Sequence, residues 1–183
     1  MSKTILEIAL TVDGFVAGRN DEQGWLEGFG DLSEFGFDEF IAGIGAIIIG
    51  KRSYDLGVEQ EWFKGDTYGD SPIFVICNEI PKEPSKDADF RFVTSGIDEL
   101  YDRAVEIAGK KNVYVFGGPN LVQQLLDKNL LDEMRLNYVP ILLGRGIPLF
   151  SSNSDTRKRL ELIETKQFSN GLSRLHYRVL KNG

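Results

Sequence analysis

The sequence predicts an α/β fold in which a mixed, mostly parallel central sheet is covered by helices on both faces and ends in an antiparallel hairpin edge. Short apolar runs alternate with helical stretches, which is typical of a parallel sheet. Several runs lack polar residues at alternate positions, as strands buried on both faces do. With 183 residues, 42% of them hydrophobic, the chain fits one domain spanning residues 1–183.

The predicted strands and helices follow one another along the chain. We predict strands at residues 5–12, 46–49, 73–77, 113–116, 134–139 and 175–180. We predict helices at residues 32–43, 53–56, 97–108 and 121–129. The C-terminal third differs, because glycine-containing turns join the segments 134–139, 141–143, 160–167 and 175–180. These turns predict antiparallel hairpins at that edge of the sheet.

Composition and charge exclude several classes of function. Lys and Arg number 21 against 28 Asp and Glu, and no basic stretch follows the chain, so nucleic acid is excluded as a partner. The apolar start is short and runs into Asp13, which predicts no membrane span and a cytoplasmic location. A single cysteine, Cys77, and a single histidine, His176, give no support to a zinc site or a histidine triad.

One predicted strand passes through two glycines into a helix. The residues Phe116, Gly117, Gly118, Pro119, Asn120 and Leu121 form this turn. Glycines let the backbone approach a ligand, proline suits the first helical turn, and the helix N-terminus favours a phosphate. A tight turn without a ligand is the alternative interpretation.

A second buried strand ends at Gly50 and is followed by Lys51, Arg52 and Ser53, where a helix begins. Cations at a helix N-terminus oppose the helix dipole, and an anionic ligand would remove that conflict. The alternative is a solvated charged turn. Two such turns at strand ends suit a dinucleotide, although neither matches the G-x-G-x-x-G fingerprint.

An ordered set of motifs resembles a known family. Residues 10–18 (LTVDGFVAG), 116–121 (FGGPNL), 130–134 (LLDEM) and 139–146 (VPILLGRG) are similar to the reductase domain of bifunctional riboflavin-biosynthesis deaminase-reductases. Residues 50–54 (GKRSY) resemble the matching turn of the wider dihydrofolate-reductase-like superfamily. The resemblance implies the three-layer α/β/α fold of that superfamily, NADPH as hydride donor, and commonly a homodimer.

The resemblance also implies roles for individual residues. Gly117 and Gly118 would face the cofactor pyrophosphate, often across a cis peptide bond. Lys51, Arg52 and Ser53 would hold the adenosine-side phosphates, including the 2′-phosphate. Asn78 would sit near the adenine ribose. The nicotinamide pocket would be lined by Ala9, Val16 and Ala17.

The proton donor is the least defined part of the predicted site. The region of the first helix offers Glu34, which shares a helical stripe with Phe37 and Phe40, and Asp38. Burial would raise the pKa of such a carboxylate toward use as an acid, whereas a solvated acidic first turn is the alternative. Asp13 could contact substrate, or serve only as a turn-forming Asp-Gly.

The predicted function is hydride transfer from NADPH to a C=N or C=O bond of a pterin-like or ribosylaminopyrimidine-like substrate. The segment 55–59 (DLGVE) departs from riboflavin reductases, which carry an Asp-Asp-Pro segment there, so the natural substrate stays open. Dihydrofolate reduction is one alternative. A non-catalytic NADP(H)-binding module is an alternative from another class.

Overall fold

The computed structural model describes residues 2–29, 35–150 and 156–181. The strands are β1 (Thr4–Thr11), β2 (Phe15–Ala17), β3 (Ile44–Gly50), β4 (Ile73–Ile76), β5 (Phe90–Val93), β6 (Asn112–Gly117), β7 (Glu133–Val139), β8 (Ile147–Pro148), β9 (Arg159–Gln167) and β10 (Ser173–Leu180). The α-helices are α1 (Phe37–Ala42), α2 (Lys51–Glu59), α3 (Ile97–Ala108) and α4 (Pro119–Asp127). None of these described helices is long and apolar enough to cross a lipid bilayer.

Eight of the strands form one sheet in the order β5-β4-β3-β6-β1-β7-β10-β9. The six strands from β5 to β7 in this order are parallel to one another. β10 is antiparallel to β7 and to β9. The predicted mixed sheet with an antiparallel C-terminal edge is therefore confirmed.

Helices cover both faces of the sheet because its central strands are apolar on both sides. Ala46 and Ile48 of β3 pack on one face, in the cluster that contains the buried side chains of α3 and α4. Ile47 and Ile49 point to the other face, where the buried aromatic side chains of α1 and α2 lie. This alternation produces the predicted three layers.

Two predicted segments are corrected by the structure. Residues 141–143 are not a strand. Instead the backbone amides of Leu143 and Gly144 donate to the Asp13 carboxylate, which ties this segment to the turn after β1. The helix predicted at 53–56 is longer and extends over Lys51–Glu59, with Gly57 buried inside it close to the Phe63 ring.

A separate pair of short strands completes the region beside the sheet. Phe15 of β2 pairs with Pro148 of β8, and Ala17 pairs with Ile147. The Leu149 amide donates to the carbonyl oxygen of Gly14 at a distance of 3.0 Å. The small ribbon therefore fixes Val16 and Ala17 next to the end of β1.

Candidate active site

A cleft opens at the carboxyl edge of the sheet, where β1 separates from β6. The register joins β1 to β6 only from Thr4 to Leu6, whereas it joins β1 to β7 as far as Thr11. The cleft has a volume of about 1240 Å³ and is lined by residues of both separating strands, such as Ala9 and Phe116. Ligands of open α/β sheets bind at this kind of edge.

The two glycine turns predicted from the sequence lie side by side at this edge. Ile49 pairs with Gly117, because β3 and β6 are neighbouring parallel strands. A Cβ atom placed on Gly50 would lie 3.6 Å from the backbone nitrogen of Gly118. A Cβ atom on Gly118 would lie 3.1 Å from the Ser53 hydroxyl. Both turns therefore contribute to one surface.

Each turn leads directly into a helix whose first amides are available. α2 begins at Lys51 after Gly50, and α4 begins at Pro119 after Gly118. In neither helix does the N-cap glycine offer a side-chain cap. The first amides of a helix lack intrahelical partners and carry the positive end of its dipole, so two anion-binding ends meet here. The peptide bond between Gly117 and Gly118 is cis, as the resemblance implied.

Lys51 and Arg52 both line the cleft and form ion pairs. Lys51 Nζ lies 2.6 Å from Asp55 of the same helix. Arg52 Nη2 lies 2.7 Å from Asp21, which belongs to the loop after β2. Exposed pairs of this kind contribute little free energy, about 0–1 kcal/mol, so a phosphate could replace either carboxylate.

The structure brings together the other residues that were predicted to bind a cofactor. The lining of the cleft includes Ala9, Val16, Ala17, Gly50, Ser53, Asn78, Phe116, Gly118, Pro119, Asn120 and Leu121. Gly117 directly precedes Gly118 in the chain and is buried, so it is not among the described residues of the lining. The predicted set therefore occupies one continuous surface, although it comes from segments distant in sequence.

Two of the three predicted acids, Asp13 and Asp38, are not among the described residues that line the cleft. Asp38 is exposed in the first turn of α1 and is not among the described residues that line the cleft. Asp13 is also exposed; it accepts a hydrogen bond from Thr11 Oγ1 at 2.6 Å in addition to those from the 143–144 amides. These hydrogen bonds lower the pKa of Asp13 and favour its role in the turn. Glu34 lies outside the described residues.

A buried polar group at the floor of the cleft was not predicted. Glu7 of β1, Asn137 of β7 and Arg174 of β10 all line the cleft and are almost fully buried. Burial raises the pKa of Glu7, although Arg135 and Arg174 act in the opposite direction. A charge inside the apolar run of β1 was the only sequence signal for this group, because its members come from three separate strands.

Aromatic side chains form the walls above this floor. Trp62, Tyr68, Tyr114 and Phe116 line the cleft. Burial raises the pKa of Tyr68 to about 12, so its hydroxyl is uncharged at neutral pH. Such walls suit a flat ring system.

The fold and this cleft define an α/β protein with an open cleft at the carboxyl edge of a mixed sheet. Residues 2–173 match the family model of the RibD C-terminal domain, and the chain belongs to this family. The resemblance found in the sequence is thereby confirmed, and the protein is a reductase-like enzyme of the riboflavin-biosynthesis type.

Individual proteins are similar to this chain along almost its whole length, and the solved structures share its fold. The chain is 28% identical over 183 residues to the uncharacterized protein YyaP of Bacillus subtilis (strain 168), covering 96% of this chain and 94% of YyaP. A putative riboflavin biosynthesis protein from Shewanella sp. PV-4 superposes with a TM-score of 0.82 at 23% identity, over 98% of this chain and 99% of that one. RibD of Acinetobacter baumannii gives a TM-score of 0.69 at 17% identity, over 98% of this chain but 58% of its own.

Proposed function

We propose that the protein is a cytoplasmic, NADPH-dependent reductase of a C=N or C=O bond in a ribosylaminopyrimidine-like substrate, such as 5-amino-6-(5-phosphoribosylamino)uracil. The observation that carries this proposal is the contact between the Gly50 and Gly118 turns, each of which starts a helix without a side-chain cap. Two adjacent helix N-termini suit the several phosphates of a dinucleotide.

The residues of the cleft fit NADPH. Gly118 and the first amides of α4 would hold the pyrophosphate, with Gly117 behind them. Lys51, Arg52 and Ser53 would hold the 2′-phosphate, since guanidinium and ammonium groups bind phosphate with charge-assisted hydrogen bonds. Asn78 follows β4, which is the direct neighbour of β3, and would contact the adenine ribose that carries this phosphate.

The nicotinamide would lie near the small side chains of Ala9, Val16 and Ala17, where β1 leaves β6. NADPH, when bound, supplies the hydride, and the chain supplies binding and orientation. The aromatic walls exclude water from the acceptor. Dihydrofolate reduction would require an acid on the first helix; Asp38 is not among the described residues that line the cleft, and Glu34 lies outside the described residues.

Thermal denaturation with nucleotides tests the proposal. A ligand that binds only the folded state stabilises it by about 2.7 kcal/mol at 100 times its Kd. We therefore expect NADPH to raise Tm more than NADH does at equal concentration. We also expect oxidation of NADPH, followed at the nicotinamide absorbance band, when the aminouracil is added. If NADPH does not raise Tm, the proposal is contradicted. If NADPH raises Tm but neither the aminouracil nor dihydrofolate oxidises it, the protein is the non-catalytic binding module.

We further propose that the protein is a homodimer formed through β9. This edge strand is exposed along its whole length, and no described strand pairs with its outer side. Leu160 and Leu162 are 40% and 55% exposed and lie two residues apart, on one face of the strand. Exposed edge strands can pair with another chain, and the leucines of β9 offer an apolar face for a second copy.

Leu162→Arg is expected to convert the dimer to a monomer, because it places a charge in the apolar interface. Sedimentation should show the mass falling from about twice to once the chain mass of 20.5 kDa. Ile107→Arg on α3 is the matched control, since Ile107 is 47% exposed and α3 packs on β3, β4 and β6, away from β9 at the sheet edge. A dimer that survives Leu162→Arg would rule out this interface.

A further inference from the structure

The guanidinium group of Arg174 lies at the floor of the cleft, and one of its three nitrogens has no hydrogen-bond partner among the described residues. Arg174 Nε donates to Asn137 Oδ1 at 2.7 Å, and Nη2 donates to Glu7 Oε1 at 3.1 Å. Nη1 makes no hydrogen bond with any residue that the structure describes. Because Arg174 lines the cleft, this third nitrogen is available to a bound ligand.

The surrounding residues fix the orientation of the guanidinium. Asn137 Nδ2 donates to Glu7 Oε1 at 2.8 Å, so the two partners of Arg174 also hold each other. The other oxygen, Oε2, lies 2.9 Å from Arg135 Nε, in an ion pair that lacks hydrogen-bond geometry. The Phe168 ring lies 5.4 Å from the Arg174 guanidinium carbon. Glu7 Oε1 therefore accepts two hydrogen bonds, whereas Oε2 is buried against Arg135 without one. Among the described residues of the cleft floor, Arg174 keeps an unused donor in Nη1.

The floor of the cleft carries the ion pair of Arg174 and Glu7, and Arg135, which is not among the described residues of the lining, contacts the other oxygen of Glu7. These three side chains together carry a net positive charge when Glu7 is ionised, and the carboxylate of Glu164 offsets part of it at Arg174. Since Arg174 and Glu7 are 4% and 5% exposed, solvent screens this charge only weakly.

We propose that Arg174 is a specificity-determining residue that binds a carbonyl oxygen at the edge of a planar heterocyclic acceptor, and that Glu7 and Asn137 are positioning residues. This inference rests on the proposed reductase function and selects among its substrates. A uracil-type edge presents carbonyl oxygens to the unpaired donor. The 2-amino edge of a pterin presents N–H groups to a cation, and the oxygen of Glu7 that has no hydrogen bond, Oε2, is buried against Arg135.

The test compares Arg174→Gln with the wild-type protein. Loss of a hydrogen bond from a charged donor typically weakens binding by about 10- to 150-fold. We expect a loss in that range in kcat/KM for 5-amino-6-(5-phosphoribosylamino)uracil, expressed mainly in KM. We expect the same loss in the calorimetric affinity of 5,6-diaminouracil for the NADP⁺-saturated protein. Arg174→Lys should restore neither kcat/KM nor the affinity for 5,6-diaminouracil, because an ammonium group cannot donate in the planar geometry of a guanidinium.

Two further variants keep the test decisive. Arg174→Gln removes one of the two arginines that pair with Glu7, and an unpaired buried carboxylate destabilises the fold. If this single variant fails to fold, the double variant Glu7→Gln with Arg174→Gln removes both charges and takes its place. Arg103→Gln on α3, which is outside the cleft, should match the wild type. All variants should retain NADPH affinity.

The outcomes separate this inference from the proposed function. If the protein binds NADPH and Arg174→Gln handles both uracil compounds like the wild type, the role of Arg174 is refuted and the reductase function stands. A wild-type preference for dihydrofolate over the aminouracil would also refute it. If the wild type does not bind NADPH, both proposals fail.

Discussion

Replacing Lys51 and Arg52 together with alanine is expected to abolish the preference for NADPH over NADH. Both side chains line the cleft beside the uncapped N-terminus of α2, where a 2′-phosphate would meet them. Each charge-assisted hydrogen bond contributes about 1.5–3 kcal/mol, or roughly a factor of 10–150 in affinity. Because Arg52 is 70% exposed, we expect the lower end of this range for each cation.

Fluorescence titration of both nucleotides measures this effect directly. The double variant should bind NADH as the wild type does, while its affinity for NADPH falls to the same level. The salt dependence of NADPH binding should flatten as well, since the 2′-phosphate contact is the most exposed one. The control variant is Lys110→Ala with Lys111→Ala, which removes the same positive charge. These lysines lie between α3 and β6, outside the described lining of the cleft, so their loss should not change the affinity for either nucleotide. A preference for NADPH that survives in the Lys51 and Arg52 variant would exclude these residues from the phosphate site.

The central fold could be predicted because its signals are local. The apolar run of β3 needs only its own residues to show burial on both faces, and α3 spans Ile97–Ala108 as its periodicity predicted. Three strands were missed for physical reasons. β2 has three residues and β8 has two, too few for a pattern, and β5 is a half-exposed edge strand interrupted by Arg91.

The two halves of the cleft differ in the same way. The half that contains the two glycine turns could be predicted because each turn is a contiguous motif in which strand, glycine and helix start follow one another. The half that contains the buried polar floor depends on contacts between residues far apart in the chain. Glu7 is separated from Asn137 by 130 residues and from Arg174 by 167. Nothing near Arg174 in the sequence distinguishes it from an exposed arginine of an edge strand.

Gly146→Ala is expected to cause the largest loss of stability and, with it, the loss of the nicotinamide end of the cleft. A Cβ atom at Gly146 would lie 2.2 Å from the carbonyl oxygen of Ala17. That atom belongs to the backbone of β2 and cannot move away without shifting the strand. Overpacking typically costs 1–3 kcal/mol, and we expect about 3 kcal/mol because no flexible side chain can yield.

For a chain of this length, that loss corresponds to a fall in Tm of roughly 6–12 °C. Gly144→Ala is the matched control, because a Cβ atom there meets nothing within 4 Å. The φ angle of +73° at Gly144 is unfavourable for alanine, and we expect this backbone strain to lower the free energy of unfolding by about 1 kcal/mol. Since Val16 and Ala17 line the cleft, Gly146→Ala should also weaken NADPH binding, whereas Gly144→Ala should not. Equal losses of Tm in both variants, or full NADPH affinity in Gly146→Ala, would show that the contact between β2 and the 144–146 turn does not shape the cleft.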